Sequence, residues 1–312
     1  MSERNARVIH TGQAIVDLVM EVDALPAVGG DVFADAWSMH PGGGFNVMAA
    51  ASRAGAAVVY TGGHGTGTFG DLVRAAMRAE GVDVIAPVAT DRDTGFCVAL
   101  VDAAAERTFV STLGAEGTAD LEVLRSVGAT PSDVVYVSGY SLYHEATSAP
   151  LVRWMPELQP GTTVVLDVSP MVGEISDEVL SGVTPHVTAW TLNESEARVL
   201  LDRLVTDSPD DLSAEDIAAR LCDTLAATVL LRAGSQGCWV AAPGDDAVLV
   251  PGIEVVAVDT NGAGDAHAGY VCAELSRGVA LVEAVRRGNA AAAIAITRRG
   301  PATAPTSDEI DR

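Results

Sequence analysis

An aspartate placed just behind a glycine-rich turn, in the string Asp259-Thr260-Asn261-Gly262-Ala263-Gly264-Asp265, is the pattern in this sequence best suited to chemistry. An apolar, β-branched run, Ile253-Glu254-Val255-Val256-Ala257-Val258, precedes it, and the spacing predicts a helix over 266–277. At such a junction the first helical N–H groups have no intrahelical acceptor, and with the helix dipole they attract anions. Glycines let a ligand approach the backbone closely. An anion cradle with a carboxylate at its lip suits phosphoryl transfer to a hydroxyl. The N–H groups of Gly262, Ala263 and Gly264 would steady the negative charge while Asp265 takes the proton. A helix N-terminus favours the anionic carboxylate, which predicts a weak base for Asp265. From the residues alone, an ordinary Gly/Asn turn followed by an acidic first helical turn remains an equal description.

Other segments carry weaker signals. Pro41-Gly42-Gly43-Gly44-Phe45-Asn46 reads as a glycine-rich loop opening an Ala-rich helix over 45–54, with Asn46 as a helix-start residue. Upstream, Gly12-Gln13-Ala14-Ile15-Val16-Asp17 ends on a carboxylate. Asn193 and Glu196 follow the apolar run 187–192, share one helical face, and form a near capping box. Leu231-Arg232-Ala233-Gly234-Ser235-Gln236-Gly237 reads as a turn between strands. Asn289 begins an Ala-rich helical stretch that closes in Thr297-Arg298-Arg299-Gly300.

Taken together these segments resemble the ribokinase-like (PfkB) carbohydrate kinase family. The resemblance runs from about residue 7 to residue 306 and is most specific at 259–269. It implies ATP-dependent phosphoryl transfer to a hydroxyl of a small sugar or nucleoside, with Asp265 as base. It further implies that Asp17, Gly43 and Asn46 hold substrate hydroxyls, and Arg107 is the cation placed to serve a charged substrate. Asn193 and Glu196 would orient magnesium-bound water, Gly234 and Gly237 would border the nucleotide, and Asn289 would lie near the adenine. A potassium ion is implied beside Asp259, Asn261, Ala295, Arg298 and Gly300. Two departures stand out: Pro41 replaces the usual first glycine, and Gly43 stands where some members carry lysine.

A competing motif is Gly65-Thr66-Gly67-Thr68-Phe69-Gly70, a literal GxGxxG after the strand-like run 58–61, with Asp91 further on. It meets the formal requirements of an NAD(P) fingerprint. However, it follows the second parallel strand rather than the first, and a glycine-rich turn suffices to explain it. An NAD(P)-dependent oxidoreductase and a non-catalytic sugar- or nucleotide-binding protein on the same fold are the alternative readings.

Composition narrows the classes. All 19 basic residues are arginine and none is lysine. That excludes a Walker A loop, a protein-kinase ATP site and a pyridoxal Schiff base, each of which needs its lysine. The net charge of −23 argues against nucleic-acid binding. Aromatics are only 4% against 48% apolar residues, so the core must be built of Ala, Val and Leu. Cys97, Cys222, Cys238 and Cys272 lack metal-like spacing and read as reduced. No apolar stretch reaches spanning length, and no signal-peptide pattern is present, so the expectation is a cytoplasmic protein without membrane association.

The elements needed to position these residues are legible as alternation. Continuous apolar runs such as Val134-Val135-Tyr136-Val137 and Val164-Val165-Leu166 alternate with helical segments. This predicts an α/β fold: a doubly wound, mostly parallel sheet flanked by helices, in one ribokinase-like domain over 1–312. Strands without helices within about 15–37 and 94–112 should form a small β-sheet lid. Its exposed strands would need cover, which predicts a homodimer through the lid.

Overall fold

The computed structural model describes residues 6–104, 106–206 and 208–312. A nine-stranded sheet comprises β1 (Arg7–His10), β4 (Ala57–Tyr60), β6 (Asp83–Val84), β10 (Val134–Ser138), β11 (Thr163–Asp167), β12 (Ala189–Asn193), β13 (Thr228–Arg232), β14 (Gly237–Ala241) and β15 (Val248–Pro251). Their spatial order is β15-β14-β13-β12-β11-β10-β1-β4-β6. Pairing is parallel except at β13–β14 and β14–β15. From β1 the chain moves first to β4 on one side and later to β10 on the other. That reversal leaves a crevice at the carboxyl ends of the strands, where ligands bind in open α/β sheets.

The parallel strands have apolar runs because helices cover both faces. One face packs Trp154, Trp190, Leu192, Leu200 and Leu221. The other is built of small residues, among them Ala49, Ala50, Ala51, Ala266, Ala268, Ala273 and Ala291. This second core explains how a chain so poor in aromatics packs densely. The helices Gly44–Arg53, Ala263–Ser276 and Leu281–Ala295 approach each other through Ala and Gly. At Gly269 a Cβ would lie 2.5 Å from the Val47 carbonyl oxygen. The Ala263–Ser276 helix is buried almost all round, from Ala266 to Glu274, so its sequence shows little amphipathic pattern.

A second sheet is formed by β2 (Ala14–Glu21), β3 (Ala36–Gly43), β8 (Phe96–Val101) and β9 (Arg107–Ser111), ordered β3-β2-β8-β9. Two short strands, β5 (His64–Gly65) and β7 (Val88–Ala89), pair separately.

Three local expectations are corrected. The run 253–258 is not a strand: β14 begins at Gly237, whose partner is Pro251, so residues beyond have no strand to pair with. Ile253, Val256 and Val258 are exposed as a result. Pro41, Gly42 and Gly43 belong to β3 and not to a loop. Proline is accommodated because β3 is an edge strand, where a missing N–H need cost no ladder bond. The run 82–88, strand-like by its apolar composition, forms only the short β6, with β7 diverted to pair with β5.

Gly269→Ala should force the Gly44–Arg53 and Ala263–Ser276 helices apart. Overpacking of this kind costs about 1–3 kcal/mol, lowering Tm by roughly 2–10 °C in a thermal melt. An unchanged Tm would mean that the helix contact is looser than described.

Candidate active site

The Ala263–Ser276 helix starts earlier than its sequence pattern suggests, with Gly262 as N-cap at φ 76°. Only glycine fits there, because a Cβ would stand 2.0 Å from the Pro301 carbonyl oxygen. Ala263 N–H makes a long 3.4 Å bond to the Thr260 carbonyl. The N–H groups of Gly262, Gly264 and Asp265 have no acceptor among the described residues, as expected of a first helical turn. Three elements of the chain thus meet at one place: the start of the Ala263–Ser276 helix with its cradle and Asp265, the Gly44–Arg53 helix with Asn46, and β2 with Asp17.

Asn46 is buried, and its Nδ2 donates to Asp265 Oδ2 at 2.9 Å. An ionised carboxylate only accepts, so the amide must turn its NH₂ toward it. Asn46 Oδ1 is left without a partner among the described residues. Burial pushes the Asp265 carboxyl up to about 6; the Asn46 bond and the Arg232 charge pull it down, and the Asp167 charge pushes it up. This overturns the weak base expected from the helix dipole. Desolvation of a carboxylate inside the crevice outweighs the dipole at its edge.

Asp17 is likewise raised to about 6, first by burial and then by the charge of Asp265. Gly42 shapes this carboxylate's surroundings, since a Cβ there would lie 2.1 Å from Asp17 Oδ2. Gly43 has φ 58° and would clash with the Gln13 carbonyl oxygen at 2.9 Å. The motif alone does not reveal that Gly42 is the glycine facing the Asp17 acid, because that depends on the β2–β3 register.

Asn193 and Glu196 form a complete capping box. Asn193 Oδ1 accepts from Glu196 N at 2.9 Å, and Glu196 Oε2 accepts from Asn193 N at 2.8 Å. Glu196 is buried, and burial followed by the Asp167 charge raises its pKa. Beside it lies a group that sequence reasoning missed. Arg232 Nη1 donates to Asp167 Oδ2 at 2.9 Å and to Thr191 Oγ1 at 3.1 Å. A legible signal did exist: Asp167 and Arg232 are charges that end apolar parallel strands on the carboxyl side.

The remaining candidates are placed as follows. Gly234 and Gly237 turn the chain between β13 and β14 at φ 55° and 115°. Asn289 is buried, and its Nδ2 donates to the carbonyls of Val250 (2.9 Å) and Pro251 (3.1 Å), tying its helix to β15. Arg107 is not at Asp17 or Asp265; its guanidinium pairs with Asp259 Oδ1 at 2.5 Å. Asp259 also accepts from Asn261 N at 3.0 Å and Gly300 N at 3.0 Å. The Ala295 carbonyl accepts from Arg298 N and Thr303 Oγ1.

The GxGxxG segment is already filled. The Asp93 carboxylate accepts from Phe69 N (3.1 Å) and Gly70 N (2.7 Å), occupying the helix start where a pyrophosphate would bind. A dinucleotide there would have to displace an internal carboxylate.

Among solved structures, the chain is similar to ribokinase from Thermotoga maritima, with TM-score 0.83, 22% identity and 98% of each chain covered. It is also similar to Arabidopsis thaliana ribokinase complexed with ribose and ATP, with TM-score 0.77, 21% identity and 98% of each chain covered. By sequence it is 32% identical to the uncharacterized sugar kinase YegV of Escherichia coli (strain K12), over 97% of this chain and 92% of that protein. It is 29% identical to ribokinase from Haemophilus influenzae, over 86% and 85%. Residues 5–308 match the pfkB family carbohydrate kinase profile, and this chain belongs to that family.

Proposed function

We propose that this ATP-dependent sugar kinase phosphorylates a hydroxyl of a neutral sugar or nucleoside, held by Asp17, Gly43 and Asn46 while Asp265 accepts its proton. The observation that carries this is the part-buried Asn46–Asp265 contact beside the amide cradle. The amide holds the carboxylate oriented, and the raised pKa makes it a better base than an exposed aspartate. As the hydroxyl oxygen bonds to phosphorus, its proton passes to Asp265. The N–H groups of Gly262, Ala263 and Gly264 stabilise charge on the phosphoryl oxygens. A neutral substrate is favoured because Arg107 is already paired with Asp259, leaving it uncommitted to a substrate phosphate or carboxylate. The similarity to ribokinase, adenosine kinase and fructokinase relatives supports the same class.

Magnesium fits the residues present. Asp167, Glu196 and Asp265 crowd negative charge, and Glu196 and Asp265 are both pushed up by Asp167. Among the described residues no cluster of three or more metal-ligating side chains exists. That is consistent with an ion that arrives with the nucleotide and keeps its waters, which Asn193 and Glu196 would orient. Bound magnesium supplies charge neutralisation on the phosphates. Gly234, Gly237 and Asn289 border the region assigned to the nucleotide.

A potassium ion beside the main chain of Asp259, Asn261, Ala295, Arg298 and Gly300 would sit next to the Arg107–Asp259 ion pair, whose guanidinium already supplies positive charge there.

No helix among the described residues is long and apolar enough to cross a membrane. The setting we assign is the cytoplasm, where ATP is available; the four cysteines are unpaired and buried, compatible with reducing conditions. Trp37, Phe109 and Val110 on the second sheet are exposed, which supports its covering by the same sheet of a second copy.

Several outcomes test this reading. A panel of sugars and nucleosides with ATP and magnesium should release ADP with at least one neutral member. Asp265→Asn should lower kcat by at least ~10²-fold, and it should raise the Tm of the ligand-free protein at pH 8. The sign follows from the raised pKa: the native state holds a proton more tightly than the unfolded chain, so ionisation destabilises it as pH rises through about 6. The wild-type kcat/KM should accordingly fall on the acid side with an apparent pKa near 6. A pH-independent rate between pH 5 and 8, or near-normal turnover of the Asn variant, would remove Asp265 from the chemistry. Light scattering at micromolar concentration should report a dimer, and a monomer would refute the pairing through the second sheet.

A further inference from the structure

We infer that Arg232 is a further catalytic residue, a part-buried guanidinium positioned to bind the transferring phosphoryl group beside the amide cradle. The inference rests on the kinase reading above and deepens it.

The geometry comes from three directions. Arg232 is the last residue of β13 and lies in register with Asn193, so its backbone borders the Asn193–Glu196 segment. Its guanidinium lies against the cradle itself: a Cβ on Gly264 would sit 3.4 Å from Cζ and 3.5 Å from Nη1. At these distances the guanidinium is in van der Waals contact with the Gly264 position, so the cation and the free first-turn N–H groups border the same space. The side chain is 15% exposed, enough to meet a ligand in the crevice while held rigidly below.

The hydrogen bonding leaves capacity for phosphate. An arginine has five N–H donors in a planar fork. Nη1 spends its pair on Asp167 and Thr191. Nη2 makes a long 3.4 Å contact to Glu196 Oε2, readily exchanged for a phosphate oxygen. Nε has no hydrogen bond among the described residues. Asp167 thus orients the fork and leaves its other edge available for two parallel bonds, the geometry in which guanidinium recognises phosphate.

Charge balance points the same way. Removing Arg and Asp side chains from water gains nothing for stability over apolar residues of similar size, so a buried cluster of this kind at the strand ends calls for another reason. The guanidinium also acts on Asp265, opposing the rise of its pKa. In a chain without lysine, any side-chain cation at the phosphates must be arginine. During transfer the alcohol oxygen forms its bond to the γ-phosphorus as the bridging P–O bond breaks, and that bonding pair leaves on the β-phosphate of ADP. The alcohol proton goes to Asp265. Arg232 binds the oxygens that carry charge between the two events.

The alternative is that Arg232 only neutralises Asp167 and Glu196. Calorimetric titration with the magnesium complex of β,γ-imido ATP and, separately, with ADP distinguishes the two. In Arg232→Gln, affinity for the triphosphate analogue should drop about 10- to 100-fold, as for loss of a charged hydrogen bond. ADP affinity and the sugar KM should change less than about threefold, while kcat falls by at least ~10²-fold. Equal losses for both nucleotides, or no loss for either, would overturn the proposal. Because the single variant leaves Asp167 unpaired, the same titrations are run on Asp167→Asn/Arg232→Gln, which removes both charges. Failure of both variants to fold, judged by circular dichroism, would assign Arg232 to stability and likewise overturn it. If the wild-type protein itself binds no triphosphate analogue, the kinase reading of the crevice fails rather than the role of Arg232.

Discussion

The site is organised by the hydrogen bond from Asn46 to Asp265, which joins residues 219 positions apart in the chain. Neither partner could be held there by its own loop. Asn46 is delivered by a helix that continues directly from β3, and Asp265 by a helix wedged against the first through alanines and Gly269. A bulkier residue at that contact would shift Asp265 relative to Asn46. Close approach of two backbones transmits position with little slack, because packed interiors deform only at appreciable cost.

A second constraint is electrostatic. The crevice concentrates Asp17, Asp167, Glu196 and Asp265 on a chain already strongly acidic, with Arg232 among them. Burial pushes the carboxyl groups of Asp17, Glu196 and Asp265 toward protonation, and neighbouring carboxylate charge adds to the rise. Preorganised charge of this kind is expensive in stability and useful in catalysis, since it needs no rearrangement at the moment of reaction.

The second sheet is joined to this centre at two points. Asp17 is carried on β2, and Arg107 on β9 reaches Asp259 at the start of the cradle loop. Asp259 in turn accepts from Asn261 and Gly300 N–H groups, so one ion pair ties the sheet, the loop and the segment after the Leu281–Ala295 helix together. Movement of the sheet would be felt in the cradle.

Much of the architecture was legible in the residue order. Continuous apolar runs require two covered faces, and their alternation with helical segments leaves a doubly wound sheet as the natural solution. The glycine turn with its trailing acid was legible for a related reason, since only certain backbone conformations expose a row of N–H groups, and Gly262 is obliged to be glycine. Less local matters were not. The extent of the helix before Ala266, the unpaired fate of the run 253–258, and the strand character of Pro41 to Gly43 depend on which neighbours are present to bond. The identity of Asp259's partner, the closeness of Gly42 to Asp17 and the packing of Arg232 against Gly264 are contacts across distant parts of the chain. So is the raised pKa of Asp265: sequence supplies the dipole that would lower it, whereas desolvation exists only after the sheet, helices and second sheet have closed around the carboxylate. The sequence by itself determined the element types and the chemical groups available, because those follow from local backbone preference and side-chain chemistry. Only the tertiary structure decided which groups face one another and how far each is removed from water.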